Sequence, residues 1–215
     1  MNKHALVLLD ELINRIPELA DTKDAVAQVV ELICWTHRAG GKALVCGNGG
    51  SAADSEHIVA ELMKGFLSKR EMPKSHADLF SKSGFADWEF LSSNLQRGVP
   101  AISLSGHTAL VTAIMNDIDP YMIYAQQGYV YGKPEDMFIG LSTSGNAKNV
   151  CNALKVARVM GLPTVGFTGS GNPDFENLCD IVIKAPEHET HRVQEYHLPI
   201  YHTICLMVEQ ELFEG

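Results

Sequence analysis

The chain has 215 residues, 46% of them hydrophobic, enough for one domain with a substantial core. Its 26 acidic and 17 basic residues leave a net charge of −9, with no Lys/Arg cluster of the kind that neutralises nucleic-acid phosphates, so nucleic-acid binding is not expected. No run of 18 apolar residues suggests a membrane span, and five scattered cysteines without a CxxC pair suggest a reduced, cytoplasmic protein.

In chain order, apolar residues at helical spacing (Leu8, Leu12, Ile16, then Val26, Val29, Val30, Ile33) predict helices over 4–20 and 22–39, ending near Gly40-Gly41. KALVC (42–46) predicts a short strand running into the glycine loop GNGGS, and a helix over about 51–66 follows. Residues 68–98 hold mixed charge and scattered aromatics. They exceed an ordinary connection, so a lid, oligomer contact or mobile loop is expected there, partly helical near 85–96, with Trp88 and Phe90 in a small satellite core. Strand and helix then alternate. Strands are predicted at 99–105, 136–142, 163–169 and 180–185, and helices at 108–117, 121–131, 149–160 and 190–213. The pattern predicts an α/β fold with a mostly parallel sheet covered by helices on both faces, an N-terminal helical extension at 1–40 and an insertion at about 68–98, all in one domain spanning 1–215.

Three strands end in Gly/Ser-rich loops, CGNGGS, SLSGH and LSTSGN, and ligands of such sheets sit at the carboxyl ends of strands. GNGGS has neither the spacing of a nucleotide P-loop nor that of a dinucleotide fold. Gly49 and Gly50 let backbone N–H groups converge, and Ser51 lies near a helix N-terminus that favours anions. Ser142, Thr143 and Ser144 place three hydroxyls beside Gly145, more than one helix cap requires. Two such loops predict a sugar-phosphate site. His57 and Glu61, one turn apart, point from one helical face toward a common point.

GNGGSAADSEH, LSTSGN and THRVQEYHLPIYH resemble the sugar-isomerase (SIS) domain family, and within it the phosphoheptose isomerase branch. The similarity spans nearly the whole chain except 68–98. It implies a three-layer sandwich and an aldose–ketose isomerase that converts sedoheptulose 7-phosphate to D-glycero-D-manno-heptose 7-phosphate through an enediol. Glu61 and His202 match the acid–base pair. Ser51, Ser142, Thr143 and Ser144 match phosphate contacts, and Asn48 a contact to substrate hydroxyls. Gly49, Gly50, Asn146 and Gln194 complete the binding set. His57, Glu61, Gln194 and His202 match metal ligands, with Zn2+ the expected cofactor, although proton transfer without a metal is an open chemical route.

Gln194 and His202 are eight residues apart, about 12 Å along a helix, too far for two ligands of one zinc about 4 Å apart. Either Pro199 distorts the helix, or two subunits of a homo-oligomer, tetrameric by resemblance, share each active site. The chain departs from the family pattern at His107 (commonly Asp), His191 (commonly Asp or Ala) and Ala147 (commonly Ser). His107 and His191 are therefore candidate specificity residues. Two rival readings are a non-catalytic SIS module that binds a phosphosugar or associates with a replication initiator, and an isomerase of another ketose phosphate.

Overall fold

The structure, a computed structural model, describes residues 1–214. Five strands form one parallel sheet: β1 (Ala43–Gly47), β2 (Ala101–Ser103), β3 (Met137–Leu141), β4 (Thr164–Thr168) and β5 (Ile181–Lys184), in the order β2-β1-β3-β4-β5. Val45 pairs with Ile139, Ile139 with Val165, and Val165 with Ile181. β1, β3 and β4 are buried throughout, as strands covered on both faces must be.

The helices are α1 (Lys3–Arg15), α2 (Lys23–Arg38), α3 (Gly50–Met63), α4 (Lys74–Ser81), α5 (Trp88–Asn94), α6 (Thr108–Asp117), α7 (Ile123–Tyr131), α8 (Lys148–Val159), α9 (Pro173–Glu176) and α10 (Thr190–Phe213). Side chains alternate along each strand, so neighbouring residues feed opposite cores. Val45, Ile139 and Val165 join Leu9, Val29, Ile33, Ile58 and Ile204 on one face. Leu44, Cys46 and Phe138 join Tyr124, Val150 and Leu154 on the other. The result is the expected three-layer α/β sandwich with N-terminal helices. Among the described residues no helix is long and apolar enough to cross a membrane.

Two predicted helices are shortened where proline intervenes. Pro17–Thr22 and Pro120–Met122 form 3-10 turns ahead of α2 and α7. Pro199, by contrast, sits inside α10, which continues for 24 residues. Its carbonyl accepts a bond from Thr203 Oγ1 at 2.9 Å.

The insertion begins and ends at a closed neck. Arg97 N–H donates to the Arg70 carbonyl at 2.8 Å, and Glu71 bridges to Gln96. Below the neck Arg70 is fully buried and paired with Glu209 at 2.8 Å, while the Glu209 carboxylate also accepts the N–H groups of Phe66, Leu67 and Ser68. Beyond the neck α4 and α5 bury no residue. Phe90 is 66% exposed, so the satellite core expected around Trp88 and Phe90 does not form.

Candidate functional site

The crevice begins where β1 ends. Gly49 adopts φ +57°, a left-handed conformation suited to glycine, and turns the chain straight into α3. Gly50 leaves room for Gln194, reaching over from α10: a Cβ at residue 50 would lie 2.5 Å from Gln194 Nε2. β3 ends beside β1 and delivers the second loop. Together they line a cavity of about 280 Å³ bordered by Asn48, Gly49, Gly50, Ser51, Ser142, Thr143, Ser144, Ala147 and Gln194, with Thr190 from the start of α10. Hydroxyls and the first turn of α3 suit this space to a phosphate.

Of the expected binding residues only Asn146 stands outside that lining. Its side-chain carbonyl instead accepts a 3.0 Å bond from Asn172. Asn48 is held by reciprocal amide bonds with Asn149, at 2.8 and 2.9 Å, and by Tyr124 Oη at 3.1 Å. His107 and His191 are exposed and do not line the cavity; His191 lies 3.8 Å from Glu189.

Two turns along α3 a second group gathers. His57 Nε2 stands 3.4 Å from Glu61 Oε1 and 3.4 Å from His202 Nε2. Lys64 Nζ contacts Glu61 Oε2 at 2.6 Å, and Tyr201 Oη lies 3.1 Å from His57 Nδ1 and 3.2 Å from Asp54 Oδ1. Burial, with His57 alongside, holds the His202 imidazole below its ordinary value. Burial raises the Asp54 carboxyl and, with Asp54 beside it, the Tyr201 phenol. The arrangement places a carboxylate and two imidazoles where protons can be exchanged.

The zinc expectation requires correction. Among the described residues no group of three or more His, Cys, Asp or Glu side chains is placed to hold a metal ion. The physical reason lies in α10. Gln194 and His202 do not converge, because the helix continues through Pro199 and leaves Gln194 over Gly50, two turns from the histidine pair. The Lys64 ammonium already neutralises the free side of Glu61. The donor set therefore does not fit the four-ligand zinc site.

Several side chains at the crevice went unpredicted. Asp54, Tyr201, Tyr124, Asn149 and Thr190 are brought in by tertiary packing. Lys64, three residues after Glu61, carried a readable signal in its helical spacing.

The SIS domain model matches residues 9–94. Phosphoheptose isomerase of Roseiflexus sp. (strain RS-1) is 38% identical over 189 residues, 88% of this chain and 83% of that protein. Phosphoheptose isomerase of Clostridium acetobutylicum is 37% identical over 190 residues, 88% of this chain and 84% of that protein. A solved structure of phosphoheptose isomerase from Neisseria gonorrhoeae superposes with a TM-score of 0.71 at 26% identity, covering 96% of this chain and 98% of its own.

Proposed function

The chain belongs to the phosphoheptose isomerase family of SIS-domain proteins, and on that premise we propose how its crevice performs an aldose–ketose isomerisation of sedoheptulose 7-phosphate. The observation that carries the reading is the parallel pairing of α3 with α10. Gly50 meets Gln194, and His57 meets Tyr201 and His202. The two ends of the crevice are thereby separated by seven residues of α3, about 10 Å. In an extended seven-carbon sugar phosphate, bonds of about 1.5 Å put C2 about 9 Å from phosphorus. A phosphate at the glycine loop thus delivers C1 and C2 to the Glu61 cluster.

In this reading Ser51, Ser142, Thr143, Ser144 and the loop N–H groups bind the phosphate, and Asn48 and Gln194 orient the chain hydroxyls. The Glu61 carboxylate removes a proton from C1 of the ketose, giving the enediol, and returns it to C2. His202 moves the hydroxyl proton between O2 and O1, so the product is an isomer with no atom gained or lost. His107 and His191 lie away from the cavity, so any tuning of specificity by them would act at its approaches.

We treat residues 1–215 as one SIS domain, working in the cytoplasm in keeping with its free cysteines. The assembly proposed is a homotetramer with shared active sites. Its support is the exposed apolar face of α6 and the turn after it, where Leu110, Met115 and Ile118 are 39%, 45% and 59% exposed. Size measurement by light scattering tests it, and a monomer at micromolar concentration would dismiss it.

The activity test incubates the purified protein with sedoheptulose 7-phosphate and follows appearance of the aldose. Turnover in the wild type, lost in Glu61→Gln while the sugar phosphate still binds, is the expected result. A fully active Glu61→Gln would remove the assigned base. Binding without turnover in the wild type would favour a phosphosugar-binding module instead.

A further inference from the structure

We infer that Asn172 and Asn146 are positioning residues for the substrate phosphate: Asn172, anchored at the start of α9, clamps the turn at residues 144–146 so that the serine hydroxyls of the second loop keep their hydrogens for the phosphate. The inference rests on the functional reading above and deepens it, giving a role to the one expected binding residue that stands outside the cavity.

The second loop is held unevenly. Its first half is tied to the end of β4 by main-chain bonds, Ser142 N–H to the Phe167 carbonyl and Gly169 N–H to the Thr143 carbonyl, both at 2.9 Å. Past Thr143 these bonds end, and Asn172 takes over. Its Nδ2 donates to the Ser144 carbonyl and to Asn146 Oδ1, each at 3.0 Å. Cys151 Sγ adds a weak contact to the Gly145 carbonyl at 3.5 Å.

Asn172 is itself fixed. Its Oδ1 accepts the N–H of Phe175 at 3.1 Å, and Phe175 is fully buried, its ring against Gly166 of β4. A main-chain N–H can only donate and a main-chain carbonyl can only accept, so one orientation of the amide satisfies every contact and spends both Nδ2 hydrogens on the loop. Gly145 completes the fit. It has φ +67°, and a Cβ there would lie 2.8 Å from Asn172 Nδ2.

For a phosphate the consequence is a count of donors. Ser144 Oγ accepts Asn146 N–H at 3.2 Å, and Ser142 Oγ accepts Ala147 N–H at 3.4 Å. A hydroxyl whose oxygen takes up a main-chain N–H still has its own hydrogen to give. A phosphate dianion carries only acceptors, so hydroxyls held in this way are matched to it. The clamp keeps Ser144 and Asn146 in the turn that makes the first of these bonds. Without it the turn can open, and the Ser144 hydroxyl loses its orientation.

The test uses Asn172→Ser, whose hydroxyl can still cap α9 through the Phe175 N–H but is too short to reach the loop, with Asn146→Ala as the second variant. Inorganic phosphate is the probe. Its dissociation constant is measured by calorimetry without substrate, beside steady-state kinetics on sedoheptulose 7-phosphate and a thermal melt. In Asn172→Ser the phosphate dissociation constant and KM are expected to rise together about tenfold while kcat stays within about twofold, the scale of one hydrogen bond to a charged group. Asn146→Ala removes one of the two clamp bonds and should move both constants the same way by about threefold. Unchanged phosphate affinity in both variants overturns the inference, as does a wild type that binds no phosphate. So does a lower melting temperature with phosphate affinity and KM unmoved, which would mark Asn172 as a helix cap alone. A wild type that binds phosphate but turns over no heptose phosphate would instead defeat the functional reading, and the binding measurements would still decide the inference.

Discussion

Gln194 covers Gly50 so closely that a methyl group at residue 50 would stand 2.5 Å from its Nε2. The obstructed atom is the far end of a flexible side chain, so Gly50→Ala displaces Gln194 and leaves the helix in place. The expected variant melts within about 1 kcal/mol of wild type, while KM for the sugar phosphate rises about tenfold. Thermal melts beside steady-state kinetics check both halves. A large loss of stability with normal KM would show that the glycine serves packing alone.

Asn48 is oriented by Asn149 through two amide bonds. Asn149→Ala removes both and lets the Asn48 amide turn. A fall in kcat/KM of about tenfold is expected, the worth of one or two hydrogen bonds. Unchanged kinetics would mean that Tyr124 alone suffices to hold Asn48.

The Arg70–Glu209 pair is buried, with side-chain exposures of 0% and 2%. Arg70→Met strands a carboxylate, and a loss of about 3–5 kcal/mol is expected in denaturant unfolding. Burial alone would raise the Glu209 carboxyl, but the Phe66 and Leu67 N–H groups, Arg70 and the Ser68 N–H hold it below its ordinary value of 4.5. A depressed carboxyl contributes stability that is complete above 4.5 and is lost as pH falls through the lower folded value. Glu209→Gln should remove that acid-side component from a plot of melting temperature against pH.

His197 shows the opposite chemistry. It is fully buried, and burial lowers its imidazole from 6.5 to about 4, against a weaker upward pull from the Thr168 carbonyl. The unfolded chain therefore binds the extra proton first, and stability rises with pH between about 4 and 6.5. At about 1.4 kcal/mol per pH unit, the span amounts to about 3 kcal/mol. His197→Asn should flatten this part of the curve. An unchanged slope would assign it to other groups.

The legible parts of the molecule were those whose cause is local. α6 and α10 match the helices predicted over 108–117 and 190–213 between successive strands, and the glycine and hydroxyl loops face one cavity as the strand ends required. α4 escaped notice because its eight residues are too short a pattern to stand out in a segment of mixed charge, and none of them is buried. Tyr201 and Asp54 are 147 residues apart and Asn48 and Asn149 are 101 apart, so neither contact leaves a trace in spacing. The metal expectation came from resemblance at four positions. It failed in the one respect that spacing had flagged, the distance along α10 from Gln194 to His202.

The neck formed by Arg97 on Arg70 and Glu71 on Gln96 gives the insertion a modular character. Its two ends leave the domain side by side, and the hydrogen bonds and ion pair that fasten them lie at the neck and beneath it. Residues 72–95 are thus a cassette on a closed base, free to vary in length and composition without disturbing the sheet or crevice. Loop length adds closure entropy only slowly, so exchanging the cassette for a short glycine–serine link should cost the fold little. A family building on this scaffold has at that neck a place to acquire new surface while the chemistry stays still.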